Sequence, residues 1–144
     1  MAETLFIDGK EHVLGRLASY AAKSALLGNK IVILNCEKIV KTGKRNVIVD
    51  IFAERIHNIG SRDKGPFWPR RPDTIVRRAI KRMIPYKKAR GVEALHNIEV
   101  YMGIPKEYSE AKMISIDQAK LKESELRYIT IGDLSTRLGS KGWQ

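Results

Sequence analysis

The chain has 144 residues and a mass of 16.4 kDa, the size of one ordinary domain, which argues against an enzyme with separate cofactor and substrate lobes. With 43% apolar and 30% charged residues, it can bury a core and is too apolar for a disordered basic tail, so one folded, soluble domain over residues 1–144 is expected. Lysine and arginine number 27 against 16 acids, giving +11 and a pI near 9.9; this puts nucleic acid first among partners, ahead of acidic substrates and anionic membranes.

Thr4–Ile7 reads as a short strand ended by the Asp8-Gly9 turn signal. From Val13 the apolar positions Leu14, Leu17, Ala18, Ala21, Ala22, Ala25 and Leu26 recur at helical steps up to Gly28, where a helix stop is expected. Lys30–Asn35 is a β-branched run without alternation, as in a strand covered on both faces. Strand, helix, strand predicts a parallel crossover. Thr42–Arg45 reads as a loop, and Val47, Ile48, Ile51, Phe52, Ile56 and Ile59 then predict a second helix ending at Gly60. Residues 60–73 are rich in Gly, Pro and charge and predict a long exposed loop. A third helix is predicted from Pro72 to Ile84, with Pro72 acceptable in a first turn and Pro85 closing it. A short helix over Ala89–Asn97, strands at Ile98–Met102, Met113–Ile116 and Tyr128–Ile131, and a last helical turn from Asp133 to Leu138 complete the reading. The order of elements predicts an α/β fold with a mainly parallel core sheet of about four strands.

The charge is local. Residues 61–91 hold 11 basic and 2 acidic side chains, whereas residues 1–60 hold 9 and 6, and residues 92–144 hold 7 and 8. Dispersed charge would serve solubility; a concentrated patch repels itself until a polyanion relieves it. On a wheel at ~100° per residue, Ile75, Val76, Ala79, Ile80, Met83 and Ile84 share one half, and Arg77, Arg78, Lys81 and Arg82 the other. No acid lies between Thr74 and Gly91, whereas a merely solvated face mixes lysine with glutamate. Four cations in a row suit a line of phosphates. In the preceding loop, Arg62, Lys64, Arg70 and Arg71 flank Phe67 and Trp68, and prolines limit the entropy lost on binding. The two aromatics can stack on an unpaired base or staple the loop to its own core. Lys87, Lys88 and Arg90 extend the patch past Pro85, and Lys41, Lys44 and Arg45 are placed to border it.

Catalytic constellations do not assemble. His12, His57 and His96 have no second ligand at metal spacing, and packing or surface roles are expected of them. The Asp8-Gly9-Lys10-Glu11-His12 turn lacks G-x-G-x-x-G, and Gly43-Lys44-Arg45 is not a P-loop. No cofactor, metal or small-molecule substrate is expected. Cys36, the only cysteine, cannot form an intrachain disulfide, and reads as a small core residue in a protein of a reducing compartment. The N-terminus has no secretion pattern, and no stretch reaches the ~18 to 20 apolar residues of a membrane span, so a cytoplasmic location is expected.

Ile7-Asp8-Gly9 followed by Leu14-Gly15-Arg16-Leu17-Ala18-Ser19 resembles the opening of the universal large-subunit ribosomal protein L-thirteen family. Arg78-Ala79-Ile80-Lys81-Arg82-Met83-Ile84-Pro85, then Arg90-Gly91, Ala94-Leu95, Ile98–Gly103 and Ile104-Pro105, resembles that family's signature, and the likeness covers nearly the whole chain. Chain length and the Gly103–Tyr108 stretch look like the archaeal branch; Arg82 stands where glycine is common. The resemblance implies a three-layer α/β/α fold and a structural, non-catalytic component of the large subunit. It also implies binding of large-subunit rRNA early in assembly, beside neighbouring ribosomal proteins and without homo-oligomerisation. Arg16, in the opening motif, joins the RNA-binding candidates. Two further readings stay open from the residues: an enzyme on a phosphorylated substrate with Asp8 as a lone acid or base, and a regulatory RNA-binding protein working off the ribosome.

Overall fold

The computed structural model describes residues 3–58, 60–61 and 63–142. Its main sheet has the order β4-β2-β1-β5, with β1 at Thr4–Asp8, β2 at Lys30–Leu34, β4 at Ile98–Val100 and β5 at Met113–Ile114, all parallel. Phe6 pairs with Val32 and Val32 with Glu99, while Ile7 pairs with Ile33 and Ile33 with Val100. Because a strand alternates its side chains, Ile7, Ile31, Ile33 and Ile98 share one face, and all four belong to the main core cluster. The other face carries Phe6 and Val32; there the Tyr108 ring lies 5.2 Å from Phe6. Burial of β2 on both faces is what its unbroken β-branched run predicts.

Helix α1, Leu14–Leu26, makes the crossover between β1 and β2, burying Leu14, Leu17, Ala18, Ala21, Ala22 and Ala25. Gly28, at φ +96°, accepts the left-handed conformation that stops it. The small alanine face lets α1 pack closely on α3, Pro72–Lys81, and α4, Ala89–His96. The predicted third helix thus ends three residues early. Tight turns follow it, in which the Ile84 N–H donates to the Lys81 carbonyl and the Lys88 N–H to the Pro85 carbonyl. Met83 thereby leaves the helical step and is 46% exposed, not on the buried half where the wheel puts it.

Helix α2 spans Arg45–His57, two residues ahead of its predicted start, and Ile59 lies outside the described residues. Its apolar spacing predicts a well-packed helix, yet only Ile48 is buried, and Val47 and Ile51 are exposed. Thr42, read as loop, belongs to a strand β3, Val40–Thr42, which pairs antiparallel with β6, Tyr128–Thr130. Of this small second sheet, β6 falls within the strand predicted at Tyr128–Ile131, whereas β3 had no sequence signal, because a three-residue strand carries too little alternation to read. Helix α5, Ile131–Arg137, follows β6 directly, capped by the Thr130 hydroxyl accepting from the Asp133 N–H. Among the described residues no helix is long and apolar enough to cross a membrane.

Candidate nucleic-acid interface

Helix α3 is anchored by Ile75, Val76 and Ile80, all buried, and Ile84 just beyond it is buried too. Pro72 sits at its first turn; the Thr74 hydroxyl donates to the Arg71 carbonyl and the Ser135 hydroxyl to the Arg70 carbonyl, tying the incoming loop to α3 and α5. Arg77, Lys81 and Arg82 are exposed on the outer side, as the wheel predicts. Among the described residues the ion pairs are Arg16–Glu125, Lys30–Glu99, Arg71–Asp73 and Lys120–Asp117. None of the cations from Arg77 to Arg90 is neutralised in this way.

Arg78 behaves differently from its neighbours. It is half-buried, with its Cζ 3.9 Å from the centroid of the Trp68 ring, and Arg55 of α2 lies over the same ring at 5.0 Å. From the sequence, either aromatic of the loop could stack on a base or staple the loop. The structure divides these roles: Trp68 is half-buried and occupied by two guanidiniums, while Phe67 is 72% exposed. Cation–π contact holds a guanidinium without consuming its N–H groups. Lys81 is steadied in the same way, with its Nζ 4.9 Å from the Tyr86 ring centroid.

Between α2 and α3 runs a groove with buried Leu14 and Ile75 at its base, half-buried Phe52 and Ala79 above them, and exposed Ile51 at its mouth. Lys41 of β3, Arg55, Arg78 and Arg82 also line it, and no carboxylate does. The fold thus brings the predicted Lys41 to Arg78 and Arg82 from 37 and 41 positions away in the chain. Arg55 was missed: nothing in its local sequence marks it, since its role depends on α2 meeting the Trp68 loop. Lys44 and Arg45 instead flank a different recess with Arg127 and Tyr128, where Arg45 Nε donates to the Tyr128 carbonyl at 3.1 Å. Arg16 is held by Glu125 at 2.8 Å and stands apart from the groove. Arg71 pairs with Asp73 at 3.4 Å; Lys64, Arg70, Lys87, Lys88 and Arg90 are exposed. Arg62 lies outside the described residues.

The polar groups at the carboxyl ends of the strands have structural partners. β5 and β2 lie on opposite sides of β1, so the crevice where α/β proteins usually bind small ligands falls between β1 and β5. His12 fills this end: it is 1% exposed, its Nδ1–H donates to the Lys10 carbonyl at 2.9 Å, and its Nε2 accepts from the Ile116 N–H at 2.9 Å. Asp8 accepts from the Lys10 N–H and from Asn35 Nδ2 at 2.9 Å. Cys36 is wholly buried, and burial, followed by the Glu37 charge, pushes its thiol up to about 12, the behaviour of a core residue.

Comparison with known proteins gives this surface its context. The family model described as Ribosomal protein L13 matches residues 2–107. The chain belongs to the ribosomal protein L13 family. It is 44% identical over 138 residues to the large ribosomal subunit protein uL13 of Methanococcoides burtonii, covering 94% of this chain and 97% of that one. The proteins of that name from Methanopyrus kandleri and Archaeoglobus fulgidus are 42% and 37% identical, covering 95% and 94% of this chain and 87% and 88% of theirs. These relatives are archaeal, in line with the Gly103–Tyr108 resemblance. Of the segments that carry the resemblance, Arg78–Pro85 spans the last residues of α3 and its closing turns, and Arg90-Gly91 lies at the start of α4. Arg82 takes φ −69° and ψ −17°, an ordinary helical conformation, so the fold makes no demand for glycine there. Gly91 is different: a Cβ on it would lie 2.1 Å from the Pro85 carbonyl oxygen. An L13-family protein is a structural component, not an enzyme.

Proposed function

We propose that this protein is a structural component of the cytoplasmic large ribosomal subunit that binds large-subunit rRNA through residues 61–91 and supports early subunit assembly. The whole chain serves as one domain, with neighbouring ribosomal proteins as its other partners, and it acts as a single copy. The observation that carries this reading is the set of exposed cations on α3 and its closing turns, fixed to the core by the opposite face and without carboxylate partners. The curated relatives, named as large ribosomal subunit proteins, supply the setting. Recognition follows RNA shape, because the deep, narrow major groove of A-form RNA admits few side chains.

The test is binding to large-subunit rRNA and to an arbitrary RNA duplex across a salt series. The Arg77/Lys81/Arg82→Ala variant is the right comparison, since it leaves Arg78 on Trp68. Preference for rRNA that persists at high salt is expected, with a salt slope reduced in the variant by ~0.7 to 0.9 for each phosphate that is no longer neutralised. Equal, fully salt-labile binding to both RNAs would sink the reading. Co-sedimentation with large subunits after a high-salt wash separates a structural component from a regulator working elsewhere.

A further inference from the structure

The groove between α2 and α3 is incomplete as a protein surface. Residues with core character line it, yet α2 buries only Ile48, and Ile51 stands 42% exposed at the mouth. Apolar periodicity marks one face of α2 for burial; Phe52 and Ile56 are only half-buried against the core, and Val47 and Ile51 are left exposed. At about 280 Å³ the groove falls just below the ~300–1,000 Å³ of typical ligand pockets, room for one flat ring and not for a helix of another protein.

Its charge is one-sided. Lys41, Arg55, Arg78 and Arg82 line it without any carboxylate. A second, independent observation singles out Arg78: its Nε is buried and has no hydrogen-bond partner. An unpaired buried donor is costly, and here it belongs to a guanidinium already oriented by Trp68 at 3.9 Å. Apolar walls, an oriented guanidinium whose Nε lacks an acceptor and cations around them match a planar ring with acceptor atoms on its edge, attached to phosphates.

We propose that this groove takes up one unpaired nucleotide of the bound RNA. The base lies against Phe52 and Ala79 and presents an acceptor edge to Arg78; Lys41, Arg55 and Arg82 hold the adjoining phosphates. This deepens the rRNA-binding reading and rests on it. It also moves base recognition off the Trp68 ring, which the two arginines occupy, and gives that ring the task of positioning them.

The experiment uses the full chain with large-subunit rRNA and nucleotide-resolution chemical probing of RNA flexibility. Ala79→Leu fills the groove without changing any charge. The expected result is that one unpaired nucleotide, protected by the wild-type protein, regains reactivity with the variant while the remaining footprint persists. Affinity is expected to fall roughly tenfold, the scale of one stacked base, with an unchanged salt slope because every phosphate-neutralising cation is kept. Ultraviolet crosslinking of the wild-type protein is independent of whether the variant folds, and should join that same nucleotide to Phe52. An unchanged footprint with Ala79→Leu, an even loss of every protection, or crosslinks only at Phe67 would each overturn the proposal. Wild-type protein showing no rRNA preference would instead defeat the parent reading, so the two failures are distinct.

Discussion

Glu99 shows how much of a side chain's behaviour depends on its neighbours across strands. Lys30 Nζ lies 2.8 Å from it, and the hydroxyls of Tyr101 and Tyr108 donate to its Oε2 at 3.1 and 3.5 Å. The Lys30 hydrogen bond is the chief reason its carboxyl is held below the usual 4.5, against a smaller opposing effect of burial. A carboxylate with a depressed folded-state pKa adds stability that is complete above its unfolded value and is lost as pH falls through the folded one. Thermal melts should therefore show Tm dropping as pH falls below about 4.5, and Glu99→Gln should flatten that drop while lowering Tm at pH 7. A parallel fall in both proteins would remove Glu99 from the account. Tyr101, desolvated and bonded to that carboxylate, is pushed up to about 12 and stays a donor throughout this range.

The turns between α3 and α4 are where an element depends on a single missing atom. The Gly91 N–H donates to the Lys88 carbonyl at 2.9 Å, and the Gly91 Cα sits so close to Pro85 that an added Cβ would meet its carbonyl oxygen at 2.1 Å and its carbon at 2.4 Å. Those are backbone atoms, so no rotamer change relieves the clash. Gly91→Ala should cost about 1–3 kcal/mol, the scale of overpacking, and should loosen RNA binding because Lys87, Lys88 and Arg90 are carried by the same turns. Denaturant unfolding gives the first quantity. A variant as stable as the wild type would show that α4 can shift away from Pro85 at no cost. The adjacent pair Arg90-Gly91 thus combines a candidate RNA contact with a packing constraint, and only the glycine half is steric.

Residues 61–91 hold 11 of the 27 basic side chains and 2 of the 16 acids. In the free protein these cations repel one another, and the compact state bears that cost. Raising ionic strength from about 0.01 to 0.15 M shortens the screening length from ~30 to ~8 Å, so Tm of the isolated protein should rise over that range. The four surface ion pairs among the described residues pull the other way, but exposed pairs contribute only ~0–1 kcal/mol each. Arg77/Lys81/Arg82→Ala should show a smaller rise in a calorimetric salt series. A Tm that falls with salt would mean that attraction, not repulsion, dominates the free molecule.

Several features were legible in the residues because they depend on short-range order. The alanine stripe of α1, the β-branched run of β2 and the Ile75, Val76, Ile80 spacing of α3 each bury what their periodicity predicts. The basic segment was legible too, since charge adds up along a chain regardless of fold. Tertiary structure decided what depends on segments far apart in the chain. It set the pairing of β3 with β6, the incomplete burial of α2, the partition of Trp68 and Phe67 into a half-buried platform and an exposed ring, and the separation of Arg16 from the groove. Arg55 is the clearest case: its guanidinium matters because α2 brings it to Trp68, 13 residues along the chain, across a loop without helical or strand periodicity. A chain's local pattern states which face of a helix is apolar, but whether that face is covered is fixed by where the next element lands.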